Sequence, residues 1–192
     1  MTGVDSVYPF GLAPAPGRRR RIAVIAGDGI GPEVVAQALR VVEPLGVPLD
    51  IEHFPWSAEH YLKTKETLPT GALVRLRDEF DAIFFGALGD PRVPDGVVAR
   101  DVLLGLRFGL DLYINLRPVQ LLDERLCPVK GKTRHDVNFW VLRENTEGPY
   151  VQMGGSFKRD TPDEVAISED LNTRRGVERI IRAAFDYAKK NG

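Results

Sequence analysis

Ile22-Ala23-Val24-Ile25-Ala26-Gly27-Asp28-Gly29-Ile30-Gly31-Pro32-Glu33 is the stretch on which the fold turns. Ile22 to Ile25 is a short continuous apolar run that leads into glycines, as in a strand buried on both faces. Pro32 then opens a helical pattern that lasts to about Val42, with proline in the first turn, where its missing N–H costs little. The alternation continues beyond it. Leu49 to Trp56 reads as a second strand. Helices near 58–65 and 71–79 follow Ser57 and Thr70 as N-caps. Ala82 to Phe85 reads as a third buried strand, ending at Gly86. Strand, helix, strand, helices, strand predicts an α/β layered domain with parallel pairing.

The glycine turn invites a dinucleotide-binding reading and then resists it. The usual fingerprint is Gly-x-Gly-x-x-Gly, and Pro32 stands where its last glycine belongs. That fingerprint also wants an acidic residue at the far end of the second strand, whereas Asp50 stands at its beginning. Two readings stay open for Gly27 to Gly31. Either the turn presents backbone N–H groups to a ligand, or the glycines serve the turn alone.

Composition narrows the class. Lys plus Arg (26) nearly equals Asp plus Glu (27), so no large field of one sign is expected. Nucleic acid and anionic membrane are therefore poor candidates for the main partner. No apolar stretch approaches the roughly 20 residues of a membrane span. Residues 1–21, rich in Pro, Gly and Ala and ending in Arg18 to Arg21, read as a flexible tail with a solvated basic approach to the first strand. A targeting element is the alternative for that basic run. The lone Cys127 excludes an internal disulfide and has no partner at metal-ligand spacing, which makes a reducing, cytoplasmic setting the default. His53, His60 and His135 are scattered, and no metal site is assigned.

Past Gly89 to Gly96 the character changes. A helix near 98–108 leads to a strand at 111–117, and a further strand runs from about Val137 to Leu142. An extended ribbon or arm is expected near 149–168. Asn172 is placed as the cap of an amphipathic helix whose apolar residues are Val177, Ile180, Ile181, Ala184, Phe185 and Ala188. Asn191-Gly192 reads as its stop. A chain ending there, with its parallel sheet short of strands, reads as interrupted rather than finished.

Three arginines leave the ends of apolar runs: Arg107 in Leu-Gly-Leu-Arg, Arg117 in Asn-Leu-Arg-Pro and Arg143 in Val-Leu-Arg-Glu-Asn. A guanidinium is always charged, and its planar fork matches carboxylate oxygens two at a time. Three of them converging on one cleft would bind a compact di- or tricarboxylic acid. Tyr150, seven residues after Arg143, adds a phenol able to give or take a proton, unless it is simply an aromatic packed at a turn.

Four segments, in this order and at this spacing, resemble the β-decarboxylating dehydrogenases, the family of isopropylmalate, isocitrate, homoisocitrate and tartrate dehydrogenases. They are Ile-Ala-Gly-Asp-Gly-Ile-Gly-Pro-Glu (25–33), Gly-Ala-Leu-Gly-Asp-Pro (86–91), Leu-Leu-Gly-Leu-Arg-Phe-Gly-Leu-Asp-Leu-Tyr-Ile-Asn-Leu-Arg-Pro (103–118) and Val-Leu-Arg-Glu-Asn-Thr-Glu-Gly-Pro-Tyr (141–150). The resemblance covers roughly residues 22 to 190 and is strongest to the amino-terminal half of members acting on 3-isopropylmalate. It implies a two-domain α/β fold around a cleft, not a Rossmann fold and incomplete at the carboxyl end. Residues 22–99 would begin the cofactor-side domain. Residues 100–192 would begin the substrate and dimer domain, with the arm inside it.

The same resemblance implies a site and a chemistry. Arg107, Arg117 and Arg143 would hold the malate-type carboxylates, and Tyr150 would protonate the enol left after CO2 departs. Leu103 and Leu104 would line the pocket for the variable group, although core packing explains leucines equally well. Two leucines favour an isopropyl group over a charged arm. NAD would take the hydride, with Ile30, Gly86, Asp90 and Arg100 as contact positions, and Mg2+ or Mn2+ would polarise the new carbonyl. The family's metal-binding aspartates, base-activating lysine and adenosine loop fall beyond Gly192. Arg100 also departs from the pattern, since many members carry a glutamate seven residues before the first arginine. The expected function is oxidative decarboxylation of 3-isopropylmalate in leucine biosynthesis by a homodimer. A sister enzyme for isocitrate, homoisocitrate or tartrate is one rival, and a non-catalytic carboxylate-binding or partner subunit is another.

Overall fold

A computed structural model describes residues 18–94 and 96–191. The described chain forms two compact units that divide between Asp111 and Leu112. The division falls past the expected 99/100 boundary because the helix after Val97 packs on the first core. Val98, Val102 and Leu106 join Ala23, Ile25, Trp56, Ala58, Ala72 and Leu76 in one cluster.

The first unit is built on three parallel strands in the order β2-β1-β3: β1 (Arg20–Gly27), β2 (Leu49–Phe54) and β3 (Ala82–Ala87). Only β1 has a neighbour on each side, and its Ala23, Val24 and Ile25 are fully buried. β3, expected to be buried, is half-buried, because it borders the sheet. Helices α1 (Gly31–Val42), α2 (Ala58–Thr64) and α3 (Ala72–Glu79) fill the connections. Ser57 caps α2 as expected, its hydroxyl accepting from His60 N at 3.1 Å. The cap of α3 is Gly71 at φ 84 rather than Thr70; that left-handed backbone suits a glycine.

At the amino-terminal edge of the sheet, the basic run belongs to the fold rather than to a tail. Arg20 and Arg21 are the first residues of β1, and residues 1–17 lie outside the described chain. Arg19 meets Asp50, Arg20 meets Asp81, and Arg21 meets Glu52 and Glu79, at 2.5–3.4 Å. After β3, a π-helical stretch (Ala99–Leu104) runs directly into α4 (Gly105–Gly109).

The second unit pairs β4 (Ile114–Gln120) antiparallel with β5 (Asn138–Glu144). β4 begins three residues later than expected because Asp111, at φ 48, still belongs to the turn that closes α4. Residues 149–168 hold a short turn and an antiparallel ribbon, β6 (Gly154–Phe157) with β7 (Val165–Ser168). The last helix, α5 (Arg174–Asn191), packs on β5, with the rings of Trp140 and Tyr187 5.4 Å apart. Its cap is Thr173 and not Asn172. The Thr173 hydroxyl accepts from Gly176 N at 3.0 Å, whereas the Asn172 amide turns back to Asp170. Among the described residues α5 runs to Asn191, and the expected stop at Gly192 lies outside them. Among the described residues no helix is long and apolar enough to cross a membrane.

Candidate functional site

The register of β4 with β5 sets the site in the second unit. Asn115 stands opposite Arg143 and Arg117 opposite Val141. Directly opposed residues share a face, and residues two apart on one strand share it as well. Arg117 and Arg143 are therefore diagonal neighbours on one face of the ribbon, with Asn115 between them. Arg117 is exposed, and its Nε donates to the Asn115 amide oxygen at 2.8 Å. Asn115 in turn donates to the Asn145 amide oxygen at 3.2 Å. Asn145 is one of two buried polar side chains in the described protein. It is tied down by donating to Leu112 O at 3.1 Å and, through its backbone N, to Tyr113 O at 3.0 Å.

Arg143 is half-buried, and its guanidinium lies over the Tyr150 ring, 4.9 Å from the centroid. Among the described residues neither Arg117 nor Arg143 has a carboxylate partner, although most arginines of the chain do, Arg18 to Arg21, Arg75, Arg92 and Arg179 among them. Two like charges on one face without an acid to offset them leave a positive patch, and a guanidinium's chemistry matches carboxylate oxygens.

The remaining candidates lie in the first unit, at the carboxyl ends of its parallel strands or on the helix that follows. That edge is where open α/β sheets take ligands. Ile30, just after the glycine turn, is 63% exposed and offers an apolar surface there. Gly27, at φ 76, follows from packing, since a Cβ on it would overlap the Ala87 carbonyl oxygen. Gly86 has the same kind of cause, because a Cβ there would overlap the Ala26 oxygen of β1. Both oxygens of Asp90 are engaged by Arg92, whose guanidinium and then backbone N–H hold that carboxyl down to about 2. Arg100 is exposed, with its Nε donating to Asp101 at 3.1 Å.

The π-helical stretch separates the two leucines. Leu104 is buried together with Val102 and Leu106, while Leu103 and Arg107 are half-buried and four positions apart. Leu103 thus keeps accessible surface near Arg107, and burial accounts for Leu104. The structure therefore sets Arg143 over Tyr150, with Arg117 diagonal to Arg143, in one unit, and leaves Leu103 and Arg107 half-buried four positions apart in the other.

Sequence reasoning missed Asp28, Asn115 and Asn145. Asp28, buried in the middle of the glycine turn, accepts from Ala58 N at 2.8 and 3.0 Å and from Gly89 N at 3.4 Å. It ties the loops after all three strands to one carboxylate. Its signal was an acidic residue between two glycines in a turn otherwise read for its glycines. Among the described residues no group of three or more His, Cys, Asp or Glu stands where it could hold a metal ion.

The profile of isocitrate/isopropylmalate dehydrogenase matches residues 21–192. The chain is 46% identical over 175 residues to 3-isopropylmalate dehydrogenase of Thermobifida fusca, covering 89% of this chain and 49% of that protein. It is 49% identical over 170 residues to the protein of the same name from Frankia casuarinae, with 88% and 49% covered. Among solved structures it is similar to isocitrate dehydrogenase from Methylococcus capsulatus, with a TM-score of 0.70 and 35% identity over 89% of this chain and 48% of that one. The chain spans about half the length of the curated relatives it matches.

Proposed function

The chain belongs to the isocitrate/isopropylmalate dehydrogenase family, and from that premise we propose that it carries the substrate-carboxylate half of a β-decarboxylating dehydrogenase acting on 3-isopropylmalate. The observation that carries this reading is the pair Arg117 and Arg143, on one ribbon face without carboxylate partners among the described residues, with Arg143 over Tyr150. Their guanidiniums take the acid's carboxylates by charge-assisted, two-point hydrogen bonds. Arg107, in the first unit, is assigned the same kind of role from its residue type and sequence context alone. Tyr150 gives its phenolic proton to the carbon left when CO2 departs. Leu103 is assigned to the substrate's variable group from its residue type, since a charged arm against leucine would lose its solvation without a partner. A polar arm would thus disfavour isocitrate, homoisocitrate and tartrate.

NAD, when bound, supplies the hydride acceptor. Exposed Ile30 is the residue best suited to pack on it; Gly86, Asp90 and Arg100 are weaker candidates, each with another structural task. The described residues do not fit the family's Mg2+ or Mn2+. The reading extends to leucine biosynthesis, a cytoplasmic setting, a homodimer using the arm of residues 149–168, and a cofactor-side role for the first unit.

Calorimetry with 3-isopropylmalate tests the core of this. Binding is expected, weakened roughly 10- to 100-fold by Arg117→Ala or Arg143→Ala, the loss of a hydrogen-bonded charge. Equal binding by the variants would overturn the assignment, and tighter binding of tartrate would sink the leucine pocket.

A further inference from the structure

Glu144 follows Arg143 on β5 and so faces the other side of the ribbon, toward α5. Its carboxylate accepts from Thr146 N and Glu147 N at 2.7 Å each, from the Thr146 hydroxyl at 2.8 Å, and from Arg179 Nη2 at 2.7 Å. The side chains of this ion pair are only 16% and 19% exposed. The Arg179 guanidinium also lies over the Tyr113 ring at 4.5 Å. Burial pushes the Glu144 carboxyl up, but the Thr146 N–H, Arg179, the Thr146 hydroxyl and the Glu147 N–H outweigh it, and the group titrates below the usual glutamate range.

Glu147 reaches the start of α5 in the same turn. Its carboxylate accepts from Thr173 N at 2.8 Å and from the Thr173 hydroxyl at 2.6 Å. A helix with Thr at its N-cap ordinarily places Glu or Gln three residues on, and that carboxylate reaches back to the cap's own N–H. Here the third residue is Gly176, and a Cβ on it would overlap the Glu147 carboxylate. The box is thus closed by a residue 26 positions upstream. A local glutamate would cap the helix equally well. The long-range version does something more, because it fastens the turn to the helix. Gly148 N adds another tie, donating to Leu171 O at 2.7 Å.

Arg143 and Tyr150 are the two ends of the segment pinned at these points. We propose that Glu144 and Glu147 are positioning residues, fixing segment 143–150 to α5 so that Arg143 is held over the Tyr150 ring. The functional meaning rests on the carboxylate-binding reading above; the geometry does not. Ion pairs of this burial contribute little net stability compared with apolar packing, but their directionality restrains the segment.

The test reads the Arg143 side chain without ligand. Its Nε–H proton resonance is expected to be shifted by the Tyr150 ring current in the wild-type chain, and Tyr150→Leu defines the unshifted position. Replacing Glu147→Ala together with Gly176→Glu gives α5 a local capping carboxylate in place of the distant one. The expected result is retained helix content and melting temperature, loss of the ring-current shift, and about tenfold weaker binding of 3-isopropylmalate. Glu144→Gln, which keeps the shape and removes the charge, is expected to reduce the shift as well. A full shift retained in both variants, or none in the wild-type chain, would overturn the proposal. A wild-type chain with the shift but no affinity for 3-isopropylmalate would refute the carboxylate reading and leave the positioning result standing.

Discussion

The two units hold themselves together by different means. In the first, β1 is sealed on both faces, and Ala23, Val24, Ile25 and Val102 have no exposed surface. In the second, the buried residues are Asn145, Gly148, Gly176 and Tyr187, while Phe139, Trp140, Phe157, Ile181 and Phe185 stay exposed. Apolar burial is nondirectional and sets how stable a unit is. Hydrogen-bonded carboxylates and amides are directional and set where particular atoms stand. The guanidinium pair and the phenol sit in the unit of the second kind, where angles matter more than volume.

Truncating the first core should produce the largest effect. Ile25→Ala removes a fully buried side chain from the central strand and should cost about 2–5 kcal/mol. Urea unfolding followed through Trp56, itself in that core, reads it, with Trp140→Phe removing the signal of the second unit. A loss under about 1 kcal/mol would mean that β1 is not the anchor, since Leu- or Ile-to-Ala changes in sealed cores exceed that value.

Asp28→Ala should come next. It leaves the buried N–H of Ala58 without its acceptor, a loss of roughly 1–3 kcal/mol for a group stranded in this way, and frees the more open N–H of Gly89. Asp28→Asn keeps one acceptor oxygen and should recover part of it. If the alanine variant were neutral, the first unit would owe nothing to directional contacts and the contrast would be sharper than drawn.

For the second unit the informative variable is pH. Glu144 titrates below its ordinary range when folded, so its contribution is complete above the unfolded value and is lost as pH falls through the lower folded value. Urea unfolding followed by Trp140, between about pH 6 and pH 3.5, should show a decline that Glu144→Gln reduces by roughly 1 kcal/mol, the scale of one charge-assisted hydrogen-bond group. An identical pH dependence in the glutamine variant would remove Glu144 from the account of this unit.

What was legible in the sequence follows the same division. The strand–turn–helix of residues 22–42 could be read because apolar run, glycines and proline are all local signals. The arginines could be identified by type and context. Their common ribbon face could not, since facing depends on how β4 pairs with β5, and neither strand's own residues set that register. The cap of α5 was misplaced by one residue, and its partner Glu147 was invisible, because 26 residues separate it from Thr173. Gly176 was the clue: glycine at the third position of an amphipathic helix, where a local box wants an acid.

The smallest effect is expected where the sequence pattern promised a large one. The apolar stripe of α5 splits into two rows. Ile180 and Ala184 are half-buried beside buried Tyr187, whereas Val177, Ile181 and Phe185, spaced by four, form an outer row with Phe185 73% exposed. Helical periodicity shows which residues share a face but not how wide a part of that face its own unit covers. Phe185→Ser should therefore change stability by less than about 0.5 kcal/mol, as a surface substitution does. Tyr187→Ser, which removes the ring packed on Trp140, should cost about 3 kcal/mol or more. Urea unfolding of the two variants side by side decides the matter. If Phe185→Ser matched Tyr187→Ser, the outer row would be covered in solution, and the second unit would be closed by apolar packing like the first.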